Sequence, residues 1–212
     1  MLAFLLMGVF VLFTTLPLLM IVAYQAGKRA VFHKATEGTG YADPMFVSNR
    51  GKALAAGLLF GAYHFGTGDD PIAQAEHFLG VAKPDGRTLL VLDWEPNPQG
   101  AAMTLAQARA FVSHLQQRTG VWPELYSGST ARAALGDAAD PILGSCWLWL
   151  AEYGSAPVAP AAWAGWTLWQ YTDGTHGLEP HGVTGVGNCD CDRFAGDAAA
   201  LAAFWSALSG RC

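Results

Sequence analysis

Residues 1–24 carry no charged side chain. From residue 25 onward, short aliphatic and aromatic runs alternate with segments whose apolar positions recur every three or four residues. The short runs predict strands at 30–35, 58–65, 89–95, 122–127, 146–153 and 166–171. The periodic segments predict helices at 44–56, 71–78 and 104–118. In the last of these, Leu105, Ala108, Phe111, Val112 and Leu115 share one side. Asp70 and Pro71 suit the N-cap and first turn of the second helix. This repeated β-α order predicts an α/β fold with a parallel sheet. The last third has strands with little helix between them, which departs from a regular eightfold barrel. There is no internal repeat and no interdomain linker, so two regions are expected: a hydrophobic segment 1–24 and one domain 25–212.

The strand Leu89-Leu90-Val91-Leu92-Asp93-Trp94-Glu95 ends at the breaker Pro96-Asn97-Pro98-Gln99-Gly100. Residues i and i+2 of a strand share a face, so Asp93 and Glu95 are expected to project together, roughly 7 Å apart at the backbone. Carboxylates that close repel when both are ionised, and one then holds its proton more tightly. Such a pair suits general acid catalysis at a glycosidic bond, although two solvated acids at a strand end would look the same.

Composition narrows the choice. With 212 residues the chain can form one full domain. Eight Trp and six Tyr exceed what a core needs and suit stacking on sugar rings. The net charge is −5 and there is no Lys/Arg run, which excludes nucleic acid as a partner. As a helix, residues 1–24 would reach about 36 Å, enough to span a bilayer. They lack the basic start of a standard signal peptide, and Lys28 and Arg29 follow them. Anchor, unusual signal sequence and replaced domain strand all remain open readings of this segment, and it is the one expected site of membrane contact. Cys146, Cys189, Cys191 and Cys212 allow three disulfide pairings, and one or two disulfides are expected. Cys189-Asp190-Cys191 lacks a second cysteine pair or histidine cluster to complete a metal site, so neither metal nor cofactor is expected. His33 and His64 read as core or hydrogen-bonding residues.

Polar and aromatic residues recur at the strand ends, where β/α barrels build their sites. In order they read Lys34-Ala35-Thr36-Glu37-Gly38, Gly61-Ala62-Tyr63-His64-Phe65, Leu92-Asp93-Trp94-Glu95, Tyr126-Ser127, Trp149-Leu150-Ala151-Glu152-Tyr153 and Trp169-Gln170-Tyr171-Thr172. This series resembles glycoside hydrolase family 25, the muramidases or Chalaropsis-type lysozymes, from about Gly27 to Gly196. The resemblance implies a modified TIM-like β/α barrel that cleaves the β-1,4 bond between N-acetylmuramic acid and N-acetylglucosamine in peptidoglycan. It casts Glu95 as general acid and Asp93 as partner carboxylate. Asn188-Cys189-Asp190-Cys191-Asp192-Arg193-Phe194 looks like the family's closing strand, which makes Asp190 a third acid and leaves Asp192 outside the catalytic set. Glu37, Tyr63, Tyr126, Tyr153, Trp169, Gln170 and Tyr171 are the expected substrate-binding residues. A monomer, exported to the periplasm or beyond, is the expected form.

One departure is plain. Family members begin with a strand carrying an active-site aspartate, and residues 1–24 contain neither Asp nor Glu. The barrel is therefore expected to be incomplete or altered at its N-terminus. A glycan-binding protein with impaired catalysis stands as the alternative to an active enzyme. Retaining, inverting and substrate-assisted cleavage stay equally open.

Overall fold

A computed structural model describes residues 18–209. Helix α1 (residues 18–25) leads into β1 (Ala30–Glu37), the short β2 (Tyr41–Ala42), α2 (Phe46–Ala55), β3 (Leu59–Phe65), α3 (Pro71–Ala82) and β4 (Thr88–Asp93). Then come α4 (Leu105–Thr119), β5 (Glu124–Ser127), α5 (Ser129–Leu135), β6 (Trp147–Ala151) and β7 (Leu168–Asp173). The small hairpin β8 (Gly182–Val183) and β9 (Gly187–Asn188), strand β10 (Asp190–Phe194) and helix α6 (Ala198–Leu208) complete the order.

Local chemistry sets the helix ends. Asp70 accepts a hydrogen bond from the Ala73 amide at 2.8 Å, and Pro71 occupies the first turn of α3. That helix runs one turn beyond its expected end and stops where Lys83 takes a left-handed conformation. Thr104 and Gln107 form a reciprocal capping box on α4, which ends at Gly120 with φ +78°.

Eight strands make one sheet in the order β10-β7-β6-β5-β4-β3-β1-β2. β1, β3, β4, β5, β6 and β7 pair in parallel, and β2 and β10 pair antiparallel at the ends. The sheet curls. Four strand spacings separate β1 from β6, roughly 19 Å if the sheet were flat. Yet the rings of Phe32 on β1 and Trp149 on β6 lie 4.2 Å apart. The expected modified β/α barrel is thus present as a curled half-barrel, with no helix between β6 and β7 or between β7 and β10. Among the described residues β1 and β10 do not pair with each other, and a cleft of about 850 Å³ lies between them, bordered by α1.

Every residue of β4 is buried, because both faces of this central strand are covered. Leu90 and Leu92 pack outward with Phe60, Phe78 and Phe111 under the helices. Val91 packs inward with Tyr126, Trp149 and Leu168. Leu89 meets Leu201 and Trp205 of α6, together with Ala30 and Leu59. Since Ala30 and Leu59 begin their strands, α6 covers the end of the curl where the strands start. The opposite end is free for a site.

Helix α1 belongs to this packing. Leu19, Met20 and Ala23 face the cleft, Met20 touches the main core, and Arg29 stacks over Tyr24 at 4.9 Å. Residues 18–24 of the hydrophobic segment therefore sit against the domain. The remainder of that segment, with any anchor, signal or replacement strand in it, lies outside the described residues. Among the described residues, no helix is long and apolar enough to cross a membrane. Cys146, Cys189 and Cys191 are free thiols, in place of the disulfides expected among them, and Cys212 lies outside the described residues.

Candidate active site

Asp93 is the last residue of β4 and shares the inward face with Leu89 and Val91. The residue that aims it is Trp94. The Trp94 indole is buried in the main core, where its Nε1–H donates to the Met103 carbonyl at 2.8 Å. Its amide donates to the Tyr126 carbonyl at 2.9 Å, and its carbonyl accepts from the Ser127 hydroxyl at 2.8 Å. With Trp94 held outward, Asp93 and Glu95 on either side are presented toward the curl.

Burial holds the Asp93 carboxyl well above the usual carboxylate range. Glu95 and Glu37 push it the same way, and Lys34 opposes them. Asp93 Oδ1 is buried without a hydrogen-bond partner. Glu95 is less enclosed; burial first, then the charge of Asp190, raises its pKa. Asp190, at the start of β10, is likewise raised by burial and by Asp173. Three carboxyl groups of raised proton affinity face one space, an arrangement able to supply both an acid and a carboxylate.

Tyrosines enclose this group. Burial raises the Tyr63 phenol above its usual range, as do the charges of Asp93, Asp190, Asp43 and Glu37, which places it at the centre of the cluster. Tyr126 is raised by burial, then by Glu95, Tyr153 and Asp93. Its hydroxyl donates to Gln170 Oε1 at 2.7 Å, and the Tyr153 hydroxyl donates to the same oxygen at 2.8 Å. Tyr153 is 39% exposed and so reaches the opening, while burial pushes its phenol up to about 12. Glu37 pairs with Lys34 Nζ at 2.7 Å.

Of the ten residues expected at the site, eight converge here: Glu95, Asp93, Asp190, Glu37, Tyr63, Tyr126, Tyr153 and Gln170. Trp169 and Tyr171 are placed elsewhere. They flank Gln170 on β7 and so point to the other side of the strand, where they are buried with Val183 and Cys191. Trp169 Nε1 donates to the Glu152 carbonyl at 2.6 Å, and the Tyr171 hydroxyl donates to the Pro180 carbonyl at 3.3 Å. The Arg193 guanidinium covers both rings at 5.2 and 4.7 Å. His64 is fully buried between Thr36 and Gln74, as a structural histidine would be.

Sequence reasoning passed over Lys34, a cation facing Asp93, and Trp149, whose edge meets Tyr126 with ring centroids 4.8 Å apart. Alternation along β1 and β6 carries the signal for both: Lys34 follows Phe32 by two, and Trp149 pairs with Tyr126 across the sheet.

Comparison with known proteins places this geometry. The sequence pattern of "Glycosyl hydrolases family 25" matches residues 21–177. Lysozyme M1 of Streptomyces globisporus is 35% identical over 202 residues, which cover 84% of this chain and 64% of that protein. The chain thus spans slightly under two thirds of the length of that relative. An N,O-diacetylmuramidase of a Chalaropsis species is 36% identical over 152 residues, covering 64% of this chain and 72% of its own. The crystal structure of a bacterial lysozyme from Streptomyces coelicolor superposes with a TM-score of 0.74 at 33% identity, covering 90% of each chain. A family GH25 lysozyme from Aspergillus fumigatus gives 0.73 at 34% identity, covering 90% of this chain and 91% of its own.

Proposed function

The chain belongs to glycosyl hydrolases family 25, and on that premise we propose that it is a muramidase, hydrolysing the β-1,4 bond between N-acetylmuramic acid and N-acetylglucosamine in peptidoglycan. The observation that carries this reading is the position of Glu95, one residue beyond the Trp94 anchor, with burial and Asp190 both favouring its protonated form. A carboxyl group whose hold on its proton is strengthened in this way can give that proton to the leaving glycosidic oxygen. Asp93 and Asp190 face the same space, and their negative charge would stabilise the positive charge that develops on the sugar ring. Tyr63, Tyr126 and Tyr153 supply ring faces and hydroxyls to seat the glycan, with Gln170 holding two of those phenols in place.

Its site of action is proposed to be outside the cytoplasm, where peptidoglycan lies. The protein is proposed to work as a monomer, since one chain carries the whole cluster of acids and phenols. The aspartate expected on a first strand has no counterpart among the described residues, so Glu95, Asp93 and Asp190 are assigned the chemistry between them.

Release of reducing ends from purified peptidoglycan tests the proposal, with the full chain compared against Glu95→Gln. Turnover that Glu95→Gln abolishes supports it. Binding to the wall without turnover, unchanged by Glu95→Gln, overturns it in favour of a glycan-binding role.

A further inference from the structure

Beneath the catalytic carboxyl groups lie two more acids that the proposed chemistry does not use. Glu124 opens β5 and pairs with Val91 of β4 and Trp147 of β6. It is 1% exposed, and neither of its carboxyl oxygens has a hydrogen-bond partner. Among the described residues no cation offsets it, and the charged group that bears on it is another acid, Asp192 of β10. Asp192 is half-buried on the wall of the cleft between β1 and β10, where its Oδ1 accepts a hydrogen bond from Trp149 Nε1 at 2.7 Å. It is also the cross-strand neighbour of Gln170.

We propose that Glu124 and Asp192 work as an internal acid pair that holds one proton between them and braces the wall of the active site through Trp149. An ionised, unpaired carboxylate in the protein interior costs several kcal/mol, so Glu124 keeps its proton. A protonated carboxyl has one O–H to donate, and a buried donor needs an acceptor. Asp192 has one oxygen committed to Trp149, and its other oxygen is the acceptor assigned to that bond, reached through one water because Glu124 has no direct partner. The chain of contact then runs upward. Asp192 fixes the Trp149 indole, whose ring meets Tyr126 edge-on, and Tyr126 holds Gln170.

The groups facing Asp192 support a titration in the working range. Burial and the charge of Asp190 raise it, the Trp149 hydrogen bond and Lys28 lower it, and the balance stands at about 7. Losing that charge would weaken the hold on Trp149. Both acids are thus positioning residues, which touch the substrate only through others. Their effect on turnover rests on the muramidase reading, whereas the state of the pair itself does not.

The test follows the Trp149 Nε1–H resonance of the isotope-labelled full chain by NMR, assigned with Trp149→Phe, alongside kcat against pH. In the wild type the resonance should titrate with a midpoint below about 7, because the bond from Glu124 adds to the influences of burial, Asp190, Trp149 and Lys28. Asp192→Asn, which keeps an acceptor for Trp149, should abolish the titration. Glu124→Leu, which removes the donor, should raise the midpoint by about one to two units, the worth of one hydrogen bond to a charged acceptor. Glu124→Gln, which restores a donor, should return the midpoint toward the wild-type value. The kcat profile should show an inflection near the same pH that Asp192→Asn removes. A wild-type resonance flat from about pH 5 to 9, or a titration that survives Asp192→Asn, overturns the proposal. A resonance that titrates as expected in a protein without turnover leaves the acid pair standing and removes the muramidase reading alone.

Discussion

Tyr126 and Tyr153 donate to one and the same oxygen, Oε1 of Gln170, from 2.7 and 2.8 Å. One tyrosine is buried and belongs to β5, and the other is 39% exposed at the opening, two residues past the end of β6. A single amide on β7 therefore sets the orientation of two phenols from two different strands.

That shared acceptor has a measurable worth. Gln170→Ala should leave two hydroxyls without their acceptor and lower kcat/KM about tenfold to a hundredfold, corresponding to one or two hydrogen bonds at about 1.4 kcal/mol per decade. Tyr153→Phe, at the more exposed position, should cost less than Tyr126→Phe. Steady-state kinetics on soluble glycan fragments would rank the three variants.

Glu95→Gln should lower kcat by about 10²- to 10⁴-fold, the span expected when a general acid is removed, with KM nearly unchanged. A drop confined to KM would mean that Glu95 binds substrate without transferring a proton.

Trp169 offers a contrast. Because its indole is buried outside the curl and bonded to the Glu152 carbonyl, Trp169→Phe should reduce stability by about 1–2 kcal/mol, through a lost hydrogen bond and lost packing. Glycan affinity should stay as it was. Chemical denaturation and KM, measured on the same preparation, separate the two effects.

The stability that buried acids contribute should also fall as pH rises. Burial raises Asp93 and Glu124 above their unfolded values. A group raised in this way contributes its full stability below the unfolded pKa and loses it as pH climbs through the folded pKa. These two acids should therefore lower the melting temperature between about pH 5 and about pH 8, against the opposite contribution of buried His64, whose pKa burial lowers to about 4. Glu124→Gln, which cannot ionise, should narrow that gap by raising the alkaline value.

Gly61 faces the interior of β3, and a Cβ there would run into the Phe32 ring. That ring is hemmed in by Trp149 and Trp205, so it has little room to give way. Gly61→Ala should destabilise the fold by about 1–3 kcal/mol, the usual cost of overpacking, readable as an earlier urea midpoint.

Much of this was legible in the chain because local signals agreed with one another. The run into Asp93 is apolar on both faces, as a covered central strand must be. Asp70 and the Thr104/Gln107 pair cap their helix starts by hydrogen bonding, and Pro71 presets the backbone of the first turn. Trp169-Gln170-Tyr171 was harder, for a physical reason. Both faces of β7 are buried, so hydropathy does not say which residues look inward, and only the alternation separates Gln170 from its two neighbours. Helix α6 escaped notice because its Ala-rich sequence shows little contrast between faces, although Asp197 caps it by accepting from the Ala200 amide. Nothing local could announce Glu124: a carboxyl group inside a barrel runs against its neighbours' hydropathy, and its reason for being there lies on a strand more than sixty residues away.

The tryptophan between the two carboxyl groups ties the fate of the site to that of the whole molecule. Asp93 and Glu95 hang from a residue whose indole is sealed in the main core, so they cannot come loose while that core stays intact. Heat should therefore not disable this site in advance of melting the fold. Loss of turnover and loss of structure are expected to share one transition, and preparations that survive a thermal challenge folded should survive it fully active.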